Sequence, residues 1–308
     1  MRPSDSTDLL VVDEPGRARR SNVPAAPAVS FEFFPPTDPA MELTLWRSIR
    51  RLESLSPRLV SVTCGADGST RDRTLEVVKR IQAETALTVA PHITGIASTQ
   101  DDLRALAQDY WTSGIRHLVA LRGDRPAFAP ESSGLSGVAV VRTLRSVADF
   151  EIAVAAYPEV HPMALSALHD IEELKRKLEV GATRAITQFF FDNTAFLRSR
   201  DTCACAGITA PIIPGILPIN RFHQVCRFAR RCGTVIPRWL ADLFQGLDDD
   251  AETSRLLGAA VALEQVETLR RYGVREFHFY TLNRADLTYA ACHALGVREQ
   301  GSISTPKE

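Results

Sequence analysis

No apolar run in the 308 residues approaches the ~20 residues of a bilayer-spanning helix, so no membrane role is expected. Neither sign of charge dominates. Lys and Arg number 36 against 37 Asp and Glu, for a net charge of -1, which gives no pull towards nucleic acid or an anionic membrane surface. The six cysteines (Cys64, Cys203, Cys205, Cys226, Cys232 and Cys292) contain no CxxC pair, and a chain this long needs no disulfides. Reduced thiols in a cytoplasmic protein are the expectation. No GxGxxG follows an apolar run and no GxxxxGK[ST] occurs, so the usual nucleotide-binding open sheets are unsupported. HExxH is also missing, and no metal site is expected. Residues 1–28 mix Arg17, Arg19 and Arg20 with Asp5, Asp8, Asp13 and Glu14 and lack an apolar stretch. That composition fits neither a transit peptide nor a secretory signal and is expected to be a disordered tail.

What the sequence does contain is alternation. Short apolar runs at 29–34, 59–63, 87–92, 118–122, 152–157, 185–190, 211–216 and 276–280 are each followed by an amphipathic stretch. Helical spacing is visible in Leu45, Trp46, Ile49 and Leu52, in Leu103, Leu106, Ala107 and Tyr110, and in Leu165, Leu168, Ile171, Leu174 and Leu178 before Gly181. Further helices are expected near 73–84, 137–147, 194–206, 221–231 and 285–295, with extra helix at 237–244 and 251–272 before the last run. Eight strand–helix pairs in strict order predict parallel strands with right-handed crossovers. The count favours a single (β/α)8 TIM barrel of ~250 residues, here spanning 29–298 with a short tail at 299–308.

Because side chains alternate along a strand, each run splits into two faces. If the larger apolar set packs under the helices, the small or polar set points into the barrel. Seven strands then bring Glu32, Thr63, His92, Arg122, Tyr157, Gln188 and Tyr280 to their C-terminal ends, where barrel enzymes build their sites. Each alone has a structural explanation, such as a core histidine or a neutralised carboxylate. A whole ring is different, since each buried polar group without a partner costs about 1–3 kcal/mol. No lysine stands at a strand end, which disfavours a Schiff-base aldolase. Glu32 is the best general-acid candidate, with Phe31, Phe33 and Phe34 expected to raise its pKa by desolvation.

SFEFFPP at 30–36, SVTCGA at 61–66, APHIT at 90–94, ALRGD at 120–124 and AAYPEVHP at 155–162 form an ordered set. It continues with LKRK at 174–177, ITQFFFD at 186–192, IIPGILPI at 212–219, GLDDDAET at 246–253 and FHFYTLNRA at 277–285. From 29 to 297 the chain thereby resembles the bacterial methylenetetrahydrofolate reductase family. The resemblance implies a barrel that binds FAD without a Rossmann fingerprint. It implies that NADH or NADPH reduces the flavin, which then reduces 5,10-methylenetetrahydrofolate to 5-methyltetrahydrofolate by ping-pong turnover, supplying methyl groups for methionine synthesis. It also implies a homo-oligomer.

At matching positions, Glu32 would protonate folate N10, and Asp124 would sit by the flavin and the pterin. His92, Arg122, Gly123, Asp124, Tyr157, His161, Asp170, Arg176 and Lys177 would hold FAD. Thr63, Gln188, Phe228, Tyr280 and Arg284 would contact the substrates. Cys64 stands where the family often has tyrosine, and Glu173 where some relatives carry an amide. A flavin-free folate or pterin barrel enzyme and a non-catalytic folate-binding relative are the alternatives.

Overall fold

Valine, isoleucine and phenylalanine dominate the short runs because branched and aromatic side chains suit a pleated, buried surface. In the computed structural model, which describes residues 25–65, 71–96, 98–123 and 134–299, those runs become eight strands. They are β1 (Ala28–Phe33), β2 (Leu59–Val62), β3 (Val89–Thr94), β4 (His117–Leu121), β5 (Glu151–Ala156), β6 (Arg184–Phe189), β7 (Ile212–Ile216) and β8 (Glu276–Tyr280). Every neighbouring pair is parallel and β8 returns to β1, closing a (β/α)8 barrel.

Helices α1 (Pro39–Glu53), α2 (Arg71–Glu84), α3 (Gln100–Thr112), α4 (Gly137–Val147), α5 (Ala167–Glu179) and α6 (Asn193–Cys205) follow the first six strands in turn. Their starts are written locally. Asp38 caps α1 ahead of Pro39, Thr99 and Asp102 form a reciprocal capping box on α3, and Ser136, Ser166 and Asp192 cap the next three. Helix α5 ends as expected, with Gly181 at φ 117° just beyond its C-cap. Between β7 and β8 lie three helices, α7 (Phe222–Cys232), α8 (Arg238–Leu243) and α9 (Ala251–Arg271), and α10 (Asp286–Ala294) follows β8. Among the described residues no helix is long and apolar enough to cross a membrane. None of the six cysteines is in a disulfide.

The core has three parts. Outward faces such as Val29, Phe31, Phe33, Val60, Val62, Phe277 and Phe279 pack under the helices with Leu45, Ile49, Leu103 and Leu144. Leu59, Ala90, Val119, Ala153, Ile186 and Ile213 fill the inside of the barrel. A third cluster, including Phe191, Ile219, Leu240 and Phe244, seats α7–α9 on the β6 and β7 ends.

Two expectations about faces change. On β4 the larger pair turns inward, with Val119 in the barrel plug and Leu121 packed on it, while Ala120 joins the outer layer. Its neighbours inside, Ala90 and Ala153, are small, so a bulky residue is needed there to fill the plug. On α5, Leu165 precedes the helix and Leu168 is exposed, leaving Ile171, Leu174 and Leu178 to make the buried stripe.

Gly258, buried in α9, packs against the backbone of Ile219 in the segment after β7. A Cβ there would lie 1.9 Å from the Ile219 carbonyl oxygen. Gly258→Ala should cost on the order of 1–3 kcal/mol through overpacking. At roughly 2–4 °C per kcal/mol for a domain of this size, the melting temperature should fall by several degrees. An unchanged melt would mean that α9 is not pressed against this carbonyl.

Candidate active site

All seven strand-end residues named from the sequence line one cavity of about 690 Å³ at the C-terminal end of the barrel. Glu32 lines it from β1. The inward face of β1 presents Ser30 and Glu32, and the parallel register sets Glu32 beside Ser61 on β2 and Tyr280 on β8. His92 Nε2 lies 3.3 Å from Glu32 Oε2, close enough to attract it but not aligned as a hydrogen bond. His278 Nε2 approaches the same oxygen at 3.7 Å, and its Nδ1 is 2.8 Å from Ser30 Oγ. Ser30 and His278 are fully buried and His92 nearly so.

This arrangement overturns the expected pKa of Glu32. Phe31 and Phe33 point away, into the layer beneath the helices, and the carboxyl faces two imidazoles instead. Burial raises the carboxyl, but His278 and His92 together outweigh it and bring the pKa from 4.5 down to about 2. At neutral pH Glu32 is therefore a carboxylate. His278 escaped the sequence-based selection although it lies two residues before Tyr280 on the same inward face; that shared face was the available signal.

Tyr280 donates its hydroxyl proton to the Thr187 carbonyl oxygen at 2.7 Å, so the hydroxyl is engaged while the ring lines the cavity. Burial and the nearby Glu32 raise its pKa well above 10. The ring fits only because β7 has Gly215, where a Cβ would stand 2.6 Å from Tyr280 Cε2. The β6–β7 register slips between Ile186 and Phe189, and Gln188 sits in that irregular stretch with its side chain at the cavity.

Thr63, Arg122, Gly123, Tyr157, His161, Lys177 and Phe228 complete the predicted residues that line the cavity. Tyr157 and His161 meet edge to face at 4.5 Å. Burial lowers the pKa of Lys177, with Asp170 and Glu173 opposing. Asp170 itself does not line the cavity. Its carboxylate accepts the His161 backbone N–H at 2.8 Å and so fixes the loop that carries His161. Arg176 is exposed and paired with Glu173, and Arg284 is exposed; neither lines the cavity. Asp124 lies outside the described residues. Thr94, Met163, Arg231 and Cys232 also line the cavity and were not anticipated, because nothing in a helical repeat shows that α7 turns its C-terminal end inward.

The site can hold an elongated ligand with phosphate groups. Lys177 and Arg122 supply cations, Gly123 brings backbone close to the space, and Gly137 leaves room where a Cβ would crowd Lys177 Cε at 3.0 Å. Glu32 with its histidines supplies a proton-exchanging group at the floor. Among the described residues there is no group of three metal-ligating side chains.

Comparison with known proteins agrees with this geometry. Residues 18–296 match the family described as methylenetetrahydrofolate reductase. The 5,10-methylenetetrahydrofolate reductase of Escherichia coli (strain K12) is 56% identical over 270 residues, covering 88% of this chain and 91% of that protein. That of Pectobacterium carotovorum subsp. carotovorum is 53% identical, covering 88% and 90%. An uncharacterized protein from Clostridium thermocellum that binds two copies of 5-methyl-5,6,7,8-tetrahydrofolic acid has the same fold, with a TM-score of 0.63 at 15% identity, covering 88% of this chain and 94% of that one.

A carboxyl whose pKa is depressed on folding adds stability that is complete above its unfolded value of 4.5 and is lost as the pH falls towards 2. Glu32→Gln should therefore flatten the acid-induced loss of stability between about pH 4.5 and about pH 3. Urea unfolding at stepped pH measures that slope. Equal slopes in the two proteins would show that Glu32 is not held ionised.

Proposed function

The chain belongs to the methylenetetrahydrofolate reductase family, and from that premise we propose that it reduces 5,10-methylenetetrahydrofolate to 5-methyltetrahydrofolate with electrons from NADH or NADPH. The proposal includes a tightly bound FAD, ping-pong turnover and a supply of methyl groups for methionine synthesis. The observation that carries it is Glu32, a carboxylate clasped by His92 and His278 on the floor of a cavity large enough for a dinucleotide and a folate in turn.

The residues present fit a flavin dinucleotide. Lys177 and Arg122 suit its pyrophosphate, while Gly123, Tyr157 and His161 offer backbone and ring surfaces along the same wall. His92 Nε2 is a buried polar atom without a hydrogen bond and adds a donor or acceptor towards the cavity. Asp170 acts indirectly by holding the His161 loop. Asp124 and Arg176 are assigned to the flavin from the family pattern, Arg176 after a change of rotamer away from Glu173. When bound, FAD supplies the hydride relay between nicotinamide and folate.

The protein's own part in the folate half-reaction is proton delivery. Opening the five-membered ring of the substrate leaves N10 in need of a proton, and Glu32 is the group placed to give it. Because Glu32 starts as a carboxylate, it takes up a proton from solvent when a bound substrate desolvates it and parts it from the imidazoles, and passes that proton to N10. Thr63, Gln188, Phe228 and Tyr280 shape the space for the substrates, and Arg284 at the rim meets a carboxylate of the folate. Residues 29–298 form the catalytic unit, flanked by tails at 1–28 and 299–308. The chain works in the cytoplasm as a homo-oligomer, a reading supported by exposed Trp239 and Leu243 one turn apart on α8.

The purified protein should show flavin absorbance that bleaches with NADH or NADPH under anaerobic conditions and returns on adding methylenetetrahydrofolate. A colourless protein that cannot be reconstituted with FAD would remove the cofactor from the account. In stopped-flow, Glu32→Gln should slow flavin reoxidation by folate by at least about 10²-fold, the usual contribution of a positioned acid. Reduction by the nicotinamide should stay largely intact, since it needs no such proton. Equal loss of both half-reactions would assign Glu32 to cofactor binding.

A further inference from the structure

The segment that carries His161 is held in a backbone conformation its sequence disfavours. Val160 has φ 71°, and among the described residues it is the β-branched one with a positive φ. In that left-handed region a Cβ crowds the following carbonyl, and a branched side chain tolerates it worst. Glycine or asparagine is the ordinary residue there. Such a conformation persists only where the surroundings impose it.

What imposes it is a pair of carboxylates acting on either side of Val160. Glu159 accepts the Val235 backbone N–H at 2.9 Å, and Asp170 in the first turn of α5 accepts the His161 backbone N–H at 2.8 Å. Val235 follows Thr234, whose buried hydroxyl donates to the Phe189 carbonyl at 2.9 Å. Glu159 is thus tied to a link between α7 and α8 that is itself fixed to β6. Pro162 abuts the same link, where a Cβ on Gly233 would come within 2.4 Å of its Cγ. Beyond Val160 the chain turns tightly: the Ala164 N–H donates to the His161 carbonyl at 2.8 Å and the Met163 N–H to His161 Nδ1 at 3.0 Å. The ring is therefore neutral, with its proton on Nε2. Tyr157, His161, Pro162 and Met163 all line the cavity, so the placement of this segment shapes one wall of it.

We infer that residues 157–163 act as a sprung catch on the bound dinucleotide. Glu159 and Asp170 hold the segment closed against the preference of Val160, and the dinucleotide leaves when the segment opens. The inference rests on the flavin reading above for what the catch retains, though not for the catch itself. A segment selected for rigidity alone is better served by asparagine at this position. Valine brings the closed and open forms nearer in free energy, which suits a wall that must retain its ligand and still admit it. The two carboxylates reach Val160 from different elements, α5 and the α7–α8 link, so loss of either bond lets the strained residue relax and frees its neighbour.

Three full-length variants test it: Val160→Asn, which keeps the left-handed turn at less cost, Glu159→Ala, which removes one holding bond, and the two combined. Flavin loss on dilution, followed by fluorescence, should slow by roughly threefold in Val160→Asn. It should quicken by about tenfold in Glu159→Ala and return towards the wild-type rate in the double variant. Residue-resolved amide exchange reads the catch without reference to flavin. In Val160→Asn the His161 and Val235 amides should both gain protection. In Glu159→Ala the His161 amide should lose protection although its own acceptor, Asp170, is intact. Faster flavin loss in Val160→Asn, or a Glu159→Ala protein in which the Val235 amide alone loses protection, overturns the inference. A protein that binds no flavin and yet shows the linked amide behaviour would overturn the flavin reading and uphold the catch.

Discussion

A carboxylate inside a barrel is tolerated only if something offsets the loss of its hydration. Here the offset comes from two imidazoles that reach Glu32 from strands on either side, His92 from β3 and His278 from β8. His278 could not do so in an open sheet of this strand order. Barrel closure puts β8 beside β1, and the register there brings His278 level with Ser30, whose hydroxyl holds the far side of the ring. Glu32 is thus positioned by the topology as much as by its own strand, and the depth of the cavity floor follows from that one cluster.

Below the cluster the barrel is filled by apolar side chains, and above it the barrel opens into the cavity. The apolar plug of Leu59, Val119, Ile186 and Ile213 closes the space under Glu32, so water and ligand reach it only from the C-terminal end. Deeper still, Arg184 meets Glu276 at 2.9 Å, a second charged pair that is satisfied internally and takes no part in the cavity. The opposite end is built by loops and by the three helices between β7 and β8. Their own small core lets α7 cross near the rim and present Phe228 and Arg231 to the cavity.

The strands and the ring were legible in the sequence because both rest on periodicity of two, which is local. Six runs, each with a polar or small inward face, sufficed to name Glu32, Thr63, His92, Tyr157, Gln188 and Tyr280 as neighbours across the barrel. What was hidden depends on distance between strands. The pKa of Glu32 could not be judged from Phe31 and Phe33, since flanking residues on a strand face the other way; its true neighbours are 60 and 246 positions downstream. The role of Asp170 as a loop anchor and the inward turn of Arg231 likewise follow from tertiary contacts that no spacing encodes. Leu165 and Leu168 looked like core and are exposed, because the stripe they would extend runs past the start of the helix.

The central claim is that the two histidines hold Glu32 ionised until a substrate enters. Isotope-edited infrared spectroscopy, taken as the difference between the wild-type protein and Glu32→Gln, observes that carboxyl directly. On acidification from about pH 7 to about pH 4, where an ordinary glutamate is mostly protonated, the wild-type protein should show no growing carboxylic-acid C=O band from Glu32. In a His278→Asn background that band should appear. A protonated Glu32 already present at neutral pH in the empty wild-type protein would contradict the account.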